Sequence, residues 1–137
     1  MLSEKQPVRV KAVWQQGYQV ELKTREHTII VDKPKDFGGL DQGPIPTELL
    51  LASLASCLTL VIRNMCLKMR LDLEQLQVDV QGEFDSTHFK CEQLMVEVTS
   101  SLDPKLLKRV MDKAIKYCYV SNTLHEGCQI LYNINKN

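Results

Sequence analysis

The sequence predicts an α+β fold, a mostly antiparallel sheet with one long central apolar helix, in the order β-β-β-α-β-β-α-β. Three observations carry the prediction. Period-two alternation of apolar and polar residues fills the first third of the chain and returns after residue 74. Fourteen residues without a charge separate Glu48 from Arg63, which reads as a core helix. Strands and helices are segregated along the chain instead of alternating, so a parallel, doubly wound sheet is disfavoured.

The elements follow in order. In VRVKAVWQ, Val8, Val10, Ala12 and Trp14 alternate with Arg9, Lys11, Val13 and Gln15, and Gln16-Gly17 can turn the chain into YQVELK. A third strand, HTIIV from His27 to Val31, follows the polar Thr24-Arg25-Glu26. The Gly- and Pro-rich DKPKDFGGLDQGPIP is a loop. A helix is expected from Pro46 to about Met69: Pro suits a first turn, Glu48 the positive end of the dipole, and Arg63, Lys68 and Arg70 the negative end. Leu76, Val78, Val80, Gly82 and Phe84 form one face of a strand. Leu94, Val96 and Val98 form one face of its hairpin partner. Asp103-Pro104 opens a second helix whose inner face is Leu107, Val110, Met111, Ala114 and Cys118. A short helical turn is expected from Ser121 to Gly127, and QILYNI reads as a closing strand.

With 137 residues and no repeat, linker or low-complexity tract, the chain is expected to be a single domain over 1–137. Lys+Arg and Asp+Glu are 17 each and intermixed, so no basic field draws in nucleic acid or a membrane surface. The N-terminus lacks the apolar core of an export signal. The fourteen-residue apolar run is shorter than the about 18–20 residues of a membrane span. A cytoplasmic protein with no membrane or nucleic-acid partner is the expectation. The five cysteines, an odd number, are then expected to rest reduced. A helix apolar on every side must also be covered on every side. One sheet and one other sizeable helix do not suffice, so an intertwined homodimer is expected.

Cys57 lies near the middle of the apolar helix. It is either a small buried hydrophobe or a nucleophile, and a nucleophile there needs a cation that the run does not supply. Cys118 either completes the stripe 107-111-114-118 or is a thiol placed in a turn to meet another. Cys118, His125 and Cys128 together have part of a zinc spacing, but a second close pair is missing and Cys57 or Cys91 would have to complete it, so no metal is expected. His27 and His88 read as solvated, and Cys66 and Cys91 as structural.

Two segments nevertheless resemble a known family. GPIPTELLLASLASCLTLVIRNMCLKM, with Gly43, Pro44, Pro46, Glu48, Leu49, Cys57 and Ile62-Arg63, is similar to the signature of the OsmC/Ohr family, and IKYCYVSNTL is similar to its second motif, with Tyr119 in place of the usual proline. The resemblance implies an intertwined dimer and a thiol-dependent peroxidase acting on organic hydroperoxides. Cys57 would be the peroxidatic thiol and Cys118 the resolving thiol. A small hydrophobic peroxide would be the substrate, an external dithiol the reductant, and no cofactor would be needed. The family's acid follows the proline directly; here Thr47 stands there and Glu48 is next. The activating arginine of the family falls near the first hairpin turn, and the nearest residues are Arg9 and Arg25. The pattern resembles the OsmC-like subgroup, which keeps both cysteines without the full acid–arginine set. The competing expectation is a dimer with this fold that binds a small ligand or senses thiol redox state without peroxidase activity.

Overall fold

The computed structural model describes Lys5 and residues 7–136. Three strands, β1 (Lys11–Gln16), β2 (Gln19–Thr24) and β3 (His27–Val31), precede helix α1 (Pro46–Lys68). Strands β4 (Leu76–Asp85) and β5 (Lys90–Ser100) follow, then α2 (Pro104–Ala114), a 3-10 turn (Ile115–Tyr117) and α3 (Tyr119–Glu126). The class is α+β, and every strand pairing is antiparallel. The strands form two sheets, β1-β2-β3 and β4-β5. The chain falls into two compact units, Met1–Leu50 and Leu51–Asn137.

In the first unit, Gly17 supplies the positive φ of the β1–β2 turn, and Trp14 Nε1 donates to its carbonyl at 2.9 Å. The first strand starts at Lys11 and not at Val8. The ladder ends at the Lys11–Lys23 pair and β2 ends at Thr24, so residues 8 and 9 lie past its end, and Thr24 Oγ1 donates to the Arg9 carbonyl at 3.1 Å instead. The alternation foreseen for β1 does not become burial, because all six of its residues are exposed in the single chain.

The loop after β3 is organised by Asp32, which is 1% exposed. Its carboxylate accepts from the backbone N–H groups of Lys33, Leu40 and Gln42 at 2.7, 3.2 and 3.2 Å, and from Gln19 Nε2 at 3.4 Å. Burial pushes this carboxyl up, but the four hydrogen bonds outweigh it and hold it below its ordinary value. Gly43 lets the loop lie directly on β3, since a Cβ there would stand 1.8 Å from the Ile30 carbonyl oxygen. The loop delivers the chain to α1, whose first turn is closed by Glu48. The Glu48 Oε1 accepts from the Ile45 N–H at 3.0 Å, which is one half of a capping box.

α1 ends in a Schellman arrangement: Leu71 N–H donates to the Cys66 carbonyl at 2.9 Å, Arg70 N–H to Leu67 at 3.2 Å, and Arg70 takes the left-handed conformation. The 23-residue helix is long and apolar enough to cross a bilayer, with mean hydropathy 1.8 over an 18-residue window, although the uncharged run alone is too short. A core helix meets the same test, and within the second unit one stripe of α1 is buried. Ile62, Met65 and Cys66 pack with Val110 and Ala114 of α2 and with Leu76, Val78 and Val98 of the β4–β5 hairpin. Leu54 and Leu58 pack with Cys118, Val80 and Leu94 in a second cluster.

β4 alternates as foreseen up to Gly82, whereas in β5 Leu94 and Val98 are half-buried and Val96 is 38% exposed. A bulge at Glu83/Phe84 then breaks the register and leaves Phe84 43% exposed. α2 opens as the sequence foresees, with the Asp103 carboxylate accepting from the Lys105 N–H at 3.1 Å and Pro104 in the first turn. α3 begins at Tyr119, two residues before the expected Ser121, because Cys118 caps it. The expected closing strand does not form. Residues 128–136 extend without a ladder, with Ile130, Tyr132 and Ile134 67–97% exposed. An alternating segment becomes a strand only against a partner edge, and among the described residues it finds none.

Candidate active site

Two local features place the two cysteines. The small residues before Cys57 let other backbone approach α1 closely: Ser56 folds its hydroxyl back onto the Ala52 carbonyl at 2.8 Å, and Thr59 does the same to Ala55. After α2, the 3-10 turn tightens the chain, and the Cys118 N–H donates to the Ile115 carbonyl at 3.1 Å. The backbone then turns extended at Cys118 and re-enters a helix. The result is a thiol at the cap position of α3, its Sγ accepting from the Ser121 N–H at 3.4 Å.

Cys118 is fully buried and Cys57 half-buried, and they pack together with Leu54, Leu58, Val80 and Val120. The two thiols interact directly. Burial pushes the Cys57 thiol up; the N–H groups of Val120 and Tyr119 oppose this, but Cys118 adds to the upward push and the thiol stays above its ordinary value. Burial also works against ionisation of Cys118. There the Ser121 hydroxyl and N–H, the Cys57 thiol and the Val120 N–H together prevail, and the thiol lies below its ordinary value. Both sulfurs therefore meet the first-turn amides of one helix, where the dipole favours a negative charge. The arrangement can hold one negative charge on a pair of sulfurs and can close a disulfide.

The structure brings together Cys57 and Cys118 from the foreseen set. Glu48, Arg9 and Arg25 belong to the Met1–Leu50 unit and have local roles there. Glu48 caps α1. Arg9 precedes β1 and offers its carbonyl to Thr24, and Arg25 occupies the left-handed position of the β2–β3 turn. Among the described residues no three His, Cys, Asp or Glu side chains gather into a metal-binding group. His88, expected to be free in solvent, pairs through Nδ1 with Asp85 at the hairpin tip. Cys66 is buried, Cys91 donates to the Gln93 carbonyl at 3.4 Å, and Cys128 is exposed.

Sequence reasoning missed the backbone N–H groups of Tyr119, Val120 and Ser121, which are turned toward the two sulfurs. The usable signal was the placement of Cys118 at the end of one amphipathic stripe, just before a second helical stretch.

The family model described as OsmC-like protein matches residues 39–133. No curated protein matches. Among solved structures, the chain is similar to an OsmC like protein from Mycoplasma pneumoniae, at 22% identity and TM-score 0.77 over 90% of each chain. It is similar to an organic hydroperoxide resistance protein from Legionella pneumophila, at 19% identity and TM-score 0.63 over 89% of this chain and 91% of that one. A third, an organic hydroperoxide resistance protein from Elizabethkingia anophelis with thiocyanate bound, has 17% identity and TM-score 0.68 over 89% and 91%. At such identities the likeness shows the fold.

Proposed function

We propose, for a chain that belongs to the OsmC-like family, that it is a thiol-dependent hydroperoxide reductase with a preference for organic hydroperoxides. The observation that carries the reading is the meeting of Cys57 and Cys118 at the N-terminus of α3. Similarity to two proteins named for organic hydroperoxide resistance supports it. Cys57, the more accessible sulfur, attacks the terminal peroxide oxygen; the O–O bond breaks, Cys57 becomes a sulfenic acid and the alkoxide takes a proton to leave as alcohol. Cys118 then attacks the Cys57 sulfur, the S–O bond breaks, the hydroxide leaves as water with the Cys118 thiol proton, and a disulfide remains for an external dithiol to reduce. No cofactor enters. The aliphatic surroundings favour an alkyl peroxide. The protein acts in a reducing, cytoplasmic setting as a homodimer, whose second copy covers the outer side of α1, where Leu60 and Leu67 are 60% and 59% exposed.

One observation favours a second reading, a dimer that senses thiol redox state or binds a small ligand: the Cys57 thiol is held above its ordinary value. Single-turnover oxidation separates the two. Reduced protein is mixed with one equivalent of cumene hydroperoxide or, in parallel, hydrogen peroxide, and the Cys57–Cys118 disulfide is followed by mass spectrometry. Rapid disulfide formation with preference for the organic peroxide is expected. Oxidation no faster than that of a free cysteine leaves the second reading.

A further inference from the structure

We propose that the backbone N–H of Tyr119, the first amide of α3, supports the Cys57 sulfur as that sulfur becomes a nucleophile, and that residue 119 acts through this N–H and not through its side chain. The inference deepens the peroxidase reading and rests on it for the identity of the natural electrophile. It adds to the site a donor beyond the two thiols.

The first-turn amides of α3 carry it. The first four N–H groups of a helix have no partner inside it. Here the Cys118 N–H donates to the Ile115 carbonyl at 3.1 Å, and the Ser121 N–H donates to the Cys118 Sγ at 3.4 Å. The ladder within the helix begins with the Asn122 N–H on the Cys118 carbonyl, also at 3.1 Å. The amides of Tyr119 and Val120 remain. Cys57 and Val120 both pack against Leu54, Leu58 and Cys118, which sets the Cys57 sulfur at these two amides. The Val120 N–H serves both sulfurs, whereas the Tyr119 N–H bonds to Cys57. The other neighbours from α1, β4 and β5 are Leu54, Leu58, Val78, Val80 and Leu94, all aliphatic, and Cys118 is the titratable side chain beside Cys57. Charge growing on the Cys57 sulfur therefore meets amides and no cation.

The side chain of Tyr119 is 62% exposed and lies outside the cluster packed on the thiols. What the residue brings to Cys57 is its N–H. Proline, the usual residue here in the motif that IKYCYVSNTL resembles, has no N–H to give. The backbone would accept it, because Cys118 is extended, with φ −86° and ψ 104°, and position 119 opens the helix. The contact therefore belongs to this chain's own residue, and a single substitution removes it without disturbing the helix start.

The test uses no peroxide, so its outcome is independent of whether the protein is a peroxidase. Tyr119→Pro and Tyr119→Ala are each placed in full-length Cys118→Ser, where serine keeps the cap and Cys57 is the one thiol left of the pair. Iodoacetamide labelling of Cys57 is followed by mass spectrometry across pH; Cys57 gives its proton to solvent, and its thiolate displaces iodide. A hydrogen bond to a charged group is worth more than one to a neutral group, by about the amount of one pH unit. Tyr119→Pro should therefore raise the midpoint of labelling by about one unit and slow it about tenfold at neutral pH, a larger shift than in Tyr119→Ala, which keeps the N–H. A shift in Tyr119→Pro no larger than in Tyr119→Ala overturns the proposal. The Tyr119 amide proton, followed by NMR in Cys118→Ser, should move with the Cys57 midpoint and stop moving when Cys57→Ala is added. An amide proton that stays fixed while Cys57 ionises overturns the proposal as well, and this reading serves if Tyr119→Pro does not fold.

Discussion

Cys66 and Cys118 are two thiols buried to the same degree, at 1% and 0% exposure, one in each core cluster of the second unit. They move in opposite directions. Cys66 packs with Ile62, Met65, Val110 and Ala114, and burial pushes its thiol up. Around Cys118 burial acts the same way, yet the start of α3 turns the balance. Burial by itself makes a cysteine inert; a helix start aimed at the sulfur makes it ionisable. The difference between the two clusters is a short helix whose first amides face the thiols in one and not in the other.

The sharpest way to break this comparison is to exchange what each thiol can do. Cys118→Ser should abolish peroxide-driven disulfide formation while leaving the unfolding free energy from urea denaturation within about 1 kcal/mol of wild type, since serine caps a helix well. Equal loss of disulfide in Cys66→Ala, by mass spectrometry, would refute the division between an inert and a reactive thiol. Next in size are the packing residues. Ile62→Ala and Leu58→Ala should each cost about 2–5 kcal/mol in urea denaturation. Leu58 packs directly in the Cys118 cluster, so Leu58→Ala alone should also slow disulfide formation in the remaining folded protein.

Asp32 extends the comparison to a carboxylate held by amides in the other unit. Its folded-state value is depressed, so its contribution is present above the ordinary carboxylate range and is lost as pH falls through the folded value. Asp32→Asn should lower the melting temperature at pH 7, and its gap from wild type should shrink below about pH 4. A gap independent of pH would show that shape, not charge, matters there. The smallest expected effect is that of Ser121→Ala, which removes a hydroxyl that supports Cys118 but keeps the N–H. It should raise the midpoint of the lowest thiolate step at 240 nm, by less than Ser121→Pro, which removes the N–H itself.

The sequence by itself determined the elements whose signals are local. The Pro46–Lys68 helix, the 76–100 hairpin and the Asp103-Pro104 start of α2 are legible because capping and periodicity act over a few residues. It also marked Cys57 and Cys118, through two motifs. Tertiary structure alone decided which amides reach which sulfur, because α3 starts at Cys118 only where the 3-10 turn sets the chain against α1. It likewise decided that residues 8–10 and 128–136 form no ladder, since alternation records a face to be buried but not whether a partner edge is there to pair with. Cys66 and Cys118 look alike in the sequence because each closes an apolar stripe. A thiol's charge depends on which amides and neighbours meet the sulfur in the folded chain, which an apolar pattern does not encode.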